Sequence, residues 1–541
     1  MVLRRSSASH FVVGGIEYGL GVVGHSSVRT QVLIVGGGPV GLAMAVGLRH
    51  FGVDCLLVEQ HLSTLDFPKG RGVNPRTMEI LRQWDADRQL AAVALPAEET
   101  SFLYIGDTLL SDTFLRFPRA EPSDEASSPC RRMICSQEIT EQVLRDVAVE
   151  RGAEVRFGCR LDSFAQDADA VAAQVTRVET GEVFEVRCRY LVAADGVRGT
   201  TRERLGISVE GPGPVGDSVS ILVDAPLRDR VADRSSVIYG VRQPRPGGGF
   251  PVVDNDRRWV LLLPRDVPNE PPEWFTEEHC TALVRSAIGD PDVAVRYIAH
   301  RLWQPTAQWA TSLSQGRVFL VGDAAHVTTP AGGLGMNGGV ADAHNLAWKL
   351  AGVLHGWASS ELLRTYDAER RPAARRAAEA SIQIGRQTRD ENFKMGALGV
   401  SLGTIYRSDA IVPDGSQEPL VDDPIHDYVP SARPGHRAPH FPFDDGTSIL
   451  DNFGESFVVL AHVEHPNRPD VERLALDVPF TTQWLPGDDW LDTFGITRTG
   501  IVVVRPDGYV SYRAHTADDP ATAISSAIAA SVCRGTVRPK P

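Results

Sequence analysis

The apolar positions of the chain follow two periods. Residues 32–35 (Val-Leu-Ile-Val) and 53–58 are short apolar runs, the pattern of strands buried on both faces, and residues 42–51 between them recur at helical spacing. Strand, helix and strand in that order predict a parallel βαβ unit. Helices are predicted over 78–84, behind Pro75, and over 139–150, behind Ser136 as N-cap. Residues 91–130 are mixed and read as loop with short strands. Strands are predicted over 153–157, 161–164, 171–178 and 183–187, the later ones an antiparallel meander turned at Gly181, with a buried strand over 190–194.

Residues 211–301 change character. They are richer in proline and glycine, with strand-like runs at 218–223, 236–241, 259–263 and 294–300, and one helix over 277–286 capped by Thr276. The earlier pattern then resumes with a buried strand at 318–321, a helix running through Leu350 and a longer one over 362–386. After a connector the chain reads strand 457–463, helix near Glu472, strand 481–484, helix 490–494, hairpin 501–513 and helix 521–532, a thioredoxin-like order. The expected architecture is therefore α/β. It has an N-terminal extension (1–28), a Rossmann-like dinucleotide domain in two pieces (29–210 and 310–390), an inserted α+β substrate domain (211–309), a connector (391–431) and a thioredoxin-like C-terminal domain (432–541).

Composition narrows the function. The 541 residues carry a net charge of −14, which argues against a nucleic-acid partner or an anionic membrane surface. Seven scattered cysteines without a C-x-x-C pair suit a reducing cytoplasm, and no metal-site spacing is present. The thioredoxin-like unit thus lacks a redox pair; packing or dimerisation is its expected role, and a homodimer is an open expectation. Arg4-Arg5 ahead of residues 11–24 faintly resembles a twin-arginine signal, but Glu17 and several glycines break the run, and it is read as an extension. No run is long and apolar enough to span a membrane.

The candidate chemistry gathers at the ends of the buried strands. Gly36, Gly38 and Gly41, with Pro39 and Val40 between them, fit G-x-G-x-x-G after a strand and before a helix, and Glu59-Gln60 follows at the end of the second strand, where an acid takes a ribose hydroxyl. The motif leaves NAD and FAD open. Arg71 and Gln137, the latter at a helix start, are placed to reach a dinucleotide. Asp195-Gly196 and Gly322-Asp323 each end a buried strand at the sheet's carboxyl edge, where ligands bind. Residues 333–338 also match G-x-G-x-x-G, but without a preceding strand or a following acid; they are read as a false fingerprint.

Together the Gly36–Gly41 motif with Glu59, Ala194-Asp195-Gly196 with Arg198 and Arg202, and Gly322-Asp323 with the loop from Pro330 to Asn337 resemble the FAD-dependent aromatic monooxygenases of the para-hydroxybenzoate hydroxylase type. The stretches 434–440 and 505–508 resemble the subgroup with a thioredoxin-like C-terminal domain, which includes phenol hydroxylases and tailoring hydroxylases of aromatic natural products. The resemblance implies FAD as cofactor, NADPH or NADH and O2 as co-substrates, and hydroxylation of a small phenolic or polycyclic aromatic substrate through a flavin C4a-hydroperoxide. It implies that Glu59 holds the adenosine ribose, that Arg71 and Gln137 contact the ribityl and pyrophosphate part, and that Leu161 lies near the adenine. It further implies that Asp195-Gly196 line the cleft shared with NAD(P)H, that Asp323 binds the ribityl chain, and that Pro330, Gly333, Leu334, Gly335, Met336 and Asn337 lie along the isoalloxazine ring. Gly199 departs from the serine common there. Positive charge at the helix start suits the negative charge that reduced flavin develops. A phenol reacts best as its phenolate, and Tyr239, Arg242 and His300 in the second domain are candidates to assist. His326 is read as structural. Epoxidation, Baeyer–Villiger insertion, oxidative decarboxylation and non-catalytic binding of an aromatic compound are the alternatives.

Overall fold

A computed structural model of the protein describes residues 27–64, 67–118, 126–254, 256–387, 394 and 396–538; the arginine pair and apolar run of the N-terminal extension lie outside them. Their α/β architecture is a Rossmann-like unit, an α+β unit inserted into it and a thioredoxin-like C-terminal unit.

The Rossmann-like sheet has six strands in the order Ser314–Gln315, Val318–Leu320, Tyr190–Ala193, Val32–Val35, Cys55–Glu59 and Glu154–Phe157, parallel except for the first edge strand. Val32–Val35 and Tyr190–Ala193 are buried along their whole length, as apolar strands between a helix layer and a second sheet must be. Helix Pro39–His50 buries Gly41 to Leu48 against helices Gln137–Glu150 and Leu334–Leu354. The expected meander is a four-stranded sheet, Cys159–Gln166, Val171–Arg177 and Val183–Cys188, joined in parallel by Ser27–Arg29. Ser27 and Val28, inside the stretch read as extension, thus belong to a strand.

The inserted unit is a seven-stranded sheet in the order Arg296–Trp303, Ser218–Asp224, Arg258–Pro264, Gly248–Pro251, Ile238–Val241, Phe102–Gly106 and Leu115–Pro118. The last two strands come from the stretch read as loop with short strands, more than a hundred residues before the strand they join; Tyr239 pairs with Tyr104 across the parallel junction. Helix Glu277–Ile288, N-capped by Thr276, covers one face of this sheet around Val219, Ile221, Tyr239, Trp259 and Leu261. Strand alternation turns Ser220, Leu222, Val260 and Leu262 to the other face, where Phe67 from the Rossmann-like unit packs on Leu222, Val253 and Val260.

In the C-terminal unit the sheet order is Phe480–Leu485, Phe457–His462, Ile501–Val504, Val510–Ala514, with the first pair parallel and the rest antiparallel, and helix Pro520–Ser531 packs upon it. All seven cysteines are free thiols.

Candidate active site

The first turn of the βαβ unit explains its glycines one by one. Gly36 has φ +111°, and a Cβ there would fall 2.2 Å from the Ala194 carbonyl oxygen. At Gly41 it would fall 2.0 Å from the Gly36 oxygen, so helix and strand meet only because neither has a side chain. A Cβ at Gly38 meets nothing within 4 Å: this glycine faces open space at the helix N-terminus. Pro39 and Val40 are half-exposed beside it. Glu59 ends its strand with one carboxylate oxygen accepting from the Gly37 N–H at 2.6 Å and the other from the His61 N–H at 2.8 Å. Gln60 next to it is exposed, and Leu161 is half-buried against the core.

Around this turn stand groups that the protein itself leaves unsatisfied. Asp195 accepts from the Thr201 N–H at 3.1 Å through Oδ2, while its buried Oδ1 has no partner; burial pushes the carboxyl up although Thr201 opposes it. Gly196 follows at φ +75°. At Gly199 a Cβ would fall 2.1 Å from the Asp195 carboxyl carbon, so the absence of the serine common in the resembling family lets this side chain lie across the turn. Asp323, after Gly322 at φ +58°, is open to water yet enclosed by protein; desolvation pushes its carboxyl up against the pull of His326 and Lys69. Arg71 donates to the Val252 carbonyl at 3.0 Å and has no carboxylate partner among the described residues, and burial pushes it down to about 10. A cation without a carboxylate partner among the described residues and two carboxyls pushed up by burial are a donor and acceptor set for a dinucleotide's phosphates and hydroxyls. Gln137 fastens this rim: it accepts from the Gly70 N–H at 3.1 Å and donates to Glu141 at 2.8 Å. Ser136 is the N-cap by position, but its hydroxyl makes no capping bond.

The segment expected along the isoalloxazine ring is a helix start. Pro330, Gly332 and Gly333 are exposed, Gly333 is a left-handed N-cap at φ +63°, and the helix begins at Leu334 without a side-chain cap. Helix geometry leaves the N–H groups of Leu334, Gly335 and Met336 free. Asn337 is different. Its buried amide accepts from the Asn74 N–H at 3.0 Å and Thr77 Oγ1 at 2.7 Å, and donates to the carbonyls of Gly72 and Gly333 at 2.8 and 2.6 Å. The side chain is a clamp between the loop after Arg71 and the helix start.

Two candidates in the second domain do not stand in a pocket. Tyr239 is 0% exposed in the apolar core under helix Glu277–Ile288, its hydroxyl donates to the Arg234 carbonyl at 3.0 Å, and burial holds its phenol well above the ordinary range. Arg242 is an exposed side chain beside Asp107, with 3.4 Å between Nη1 and Oδ1. Burial and surface position depend on long-range pairing, which a local pattern does not carry. His300 is bonded to the Tyr297 hydroxyl at 2.8 Å. His326 is buried against Asp342 at 2.6 Å, and Asp342 also takes the Gly322 N–H at 3.0 Å and Arg370 Nε at 2.7 Å. It shapes the turn that carries Asp323. The acid and its neighbours His344, Asn345 and Lys349 were detectable as polar residues on an otherwise apolar helix.

Residues 29–381 match the family described as FAD binding domain, and residues 431–533 match the aromatic-ring hydroxylase C-terminal domain. The chain is 37% identical over 546 residues to tetracenomycin A2 monooxygenase-dioxygenase of Streptomyces glaucescens, covering 93% of this chain and 97% of that one. It is 36% identical over 460 residues to aklavinone 12-hydroxylase DnrF of Streptomyces peucetius, covering 81% and 93%. Among solved structures, the flavin-dependent monooxygenase PieE in complex with FAD and substrate superposes with a TM-score of 0.86 at 29% identity, covering 94% and 99%. The ternary complex of aklavinone-11 hydroxylase with FAD and aklavinone superposes at 0.84 and 31%, covering 93% and 99%. With the dinucleotide turn, the paired aspartates and the C-terminal unit all matched, the chain belongs to the FAD-dependent aromatic-ring hydroxylases.

Proposed function

We propose that this monooxygenase hydroxylates a polycyclic phenolic substrate of the polyketide type, using NADPH or NADH as reductant, in natural-product biosynthesis. The observation that carries the proposal is the part of the seven-stranded sheet's second face that lies beyond the Phe67 contact and is only half-buried. Ile238 shares that face with Leu222, Val260 and Leu262, and so does Ile105 through its pairing with Gly240. Gly240 and Gly249 are paired on it, and Ile105 and Ile238 lean over them: a Cβ on either glycine would meet an isoleucine at 2.9 or 3.0 Å. The result is a broad apolar wall with Ile105, Ile238 and Leu262 half-exposed, suited to a planar ring system. The loop from Phe67 to Arg71 ties this wall to the dinucleotide cleft. Relatives of similar length are named for tetracenomycin, aklavinone and polyketide hydroxylation, which supports a polyketide-type substrate.

In this reading Arg71, Asp323 and Glu59 would hold FAD, which would supply oxygen activation when bound, and the free N–H groups of Leu334 to Met336 would favour negative charge on it. The apolar wall excludes water and orients the substrate. A cytoplasmic setting is part of the proposal, supported by the seven free thiols. The test is anaerobic and aerobic oxidation of NADPH and NADH by the yellow holoenzyme, with a panel of phenols and fused-ring phenols. Fused-ring phenols should accelerate oxidation and yield a product one oxygen heavier with its ring system intact. A lactone, an oxirane or loss of CO2 would assign a different oxidative step, and absence of any stimulated oxidation would leave a binding protein.

A further inference from the structure

The C-terminal unit reaches into the Rossmann-like unit through one turn. Arg505 and Asp507, in the hairpin turn after Ile501–Val504, are 0% and 1% exposed. Arg505 donates from Nη1 and Nη2 to the two oxygens of Glu369 at 2.6 and 2.9 Å, and from Nε to Asp507 at 3.1 Å. The Asp507 carboxylate accepts from Trp348 Nε1 at 3.1 Å and Asn345 Nδ2 at 3.3 Å. Glu369 accepts from Asn345 Nδ2 and Lys349 Nζ, both at 2.7 Å. Asn345, Trp348 and Lys349 all belong to helix Leu334–Leu354, whose first turn carries the free N–H groups of the cleft.

A second arm leaves the same turn. The Asp507 carbonyl accepts from Arg76 Nη2 at 2.8 Å. Arg76 lies in the first turn of helix Pro75–Gln83, whose N-cap Asn74 and whose Thr77 are bonded to Asn337. One turn of the C-terminal unit therefore holds the flavin-facing helix from behind, at Asn345 and Trp348, and from the side, through Arg76 to Asn337.

We propose that Asp507 is a positioning residue: the C-terminal unit fixes where the start of helix Leu334–Leu354 stands, and through it sets how tightly FAD is held and how readily it is reduced. The argument is electrostatic. The helix end offers positive charge that acts within its first turn, so a small displacement changes the stabilisation of the negative charge that flavin gains on reduction more than it changes binding of the oxidised form.

The test uses full-length protein carrying Asp507→Asn or Trp348→Phe, with Asp451→Ala as comparison. Asp451 also joins the two units, through Arg82 at 2.7 Å, but Arg82 stands in the last turn of helix Pro75–Gln83, at the opposite end from Arg76 and Thr77, and Asp451 bonds to neither helix Leu334–Leu354 nor Asn337 among the described contacts. FAD affinity is read by flavin fluorescence, the midpoint potential by equilibration with redox dyes, and stability by thermal unfolding. Asp507→Asn should weaken FAD binding about tenfold and lower the two-electron potential, by about 30 mV for each further tenfold loss in the reduced form. Trp348→Phe should move both in the same direction by less, while Asp451→Ala lowers only the unfolding temperature. Unchanged FAD affinity and potential in Trp348→Phe, and in Asp507→Asn where it folds, would overturn the proposal whatever happens to stability. A potential lowered equally by Asp451→Ala would overturn it too.

Discussion

The glycines of the dinucleotide turn separate packing from ligand approach at single residues. Gly36→Ala places a methyl against the Ala194 carbonyl at a positive φ and should cost about 3 kcal/mol or more, read as a large fall in thermal midpoint. Gly38→Ala has room for its methyl and a φ of −74° that alanine accepts, so the apoprotein should unfold at the wild-type temperature while FAD affinity falls, because the methyl projects where the phosphates approach. Tyr239→Phe removes one buried hydrogen bond and should cost about 1 kcal/mol, leaving the pH profile of substrate-stimulated NAD(P)H oxidation unchanged. A shift in that profile would return Tyr239 to the chemistry. The contrast also shows what the sequence reveals at this scale. G-x-G-x-x-G is legible because each glycine answers to neighbours a few residues away. The burial of Tyr239 was not legible because its surroundings, Tyr104 and Trp259, are assembled from strands far apart in the chain.

At the scale of elements, the helices that carry the cleft are anchored by charges that find part of their pairing in other units. Helix Pro75–Gln83 buries Glu79, which receives Arg437 from the C-terminal unit, Arg76 at 3.0 Å and Ser128. Burial alone would push its carboxyl up; Arg437 and Arg76 outweigh burial and hold it below the ordinary range. Arg437→Met leaves Glu79 without its main counter-charge in a dry setting and should cost about 3–5 kcal/mol, whereas removing the partly exposed Arg82–Asp451 pair should cost no more than about 1 kcal/mol. Paired denaturant titrations of the two variants check the ratio. The βαβ element and the C-terminal order of strands and helices were legible, since their periods and turns are local. Short strands were read within residues 91–130, but the membership of Phe102–Gly106 and Leu115–Pro118 in the inserted sheet was not legible, because neither forms a hairpin with the rest of it. Nothing in the local pattern pairs Glu79 with Arg437 or Glu369 with Arg505, which come together from distant parts of the chain.

Across the whole molecule, the three units meet over buried ionisable groups, so acid should loosen the assembly. Burial pushes His436, beside the seam, down to about 4, with Arg433 adding to the effect. Its unfolded form binds the extra proton between about pH 6.5 and 4, so the fold loses on the order of 3 kcal/mol as pH falls through that window. Glu79, held low, adds its loss below the ordinary carboxylate range. Thermal midpoints of the wild type should fall from pH 6.5 to 4, and those of His436→Gln should fall less steeply. The sheet of the inserted unit has a consequence for recombination. Its strands at Phe102–Gly106 and Leu115–Pro118 arrive before the Rossmann-like unit is complete, and the rest arrive after residue 217. A chimera that takes only residues 211–309 from a relative joins a foreign edge at Ile238–Val241 to the resident Phe102–Gly106, across a parallel junction with no turn to hold its register. Hybrids that exchange residues 91–130 together with 211–309 should therefore express as soluble, flavin-loaded protein where single-segment hybrids aggregate. The inserted sheet is inherited as two pieces of chain, and any crossover that separates them breaks it.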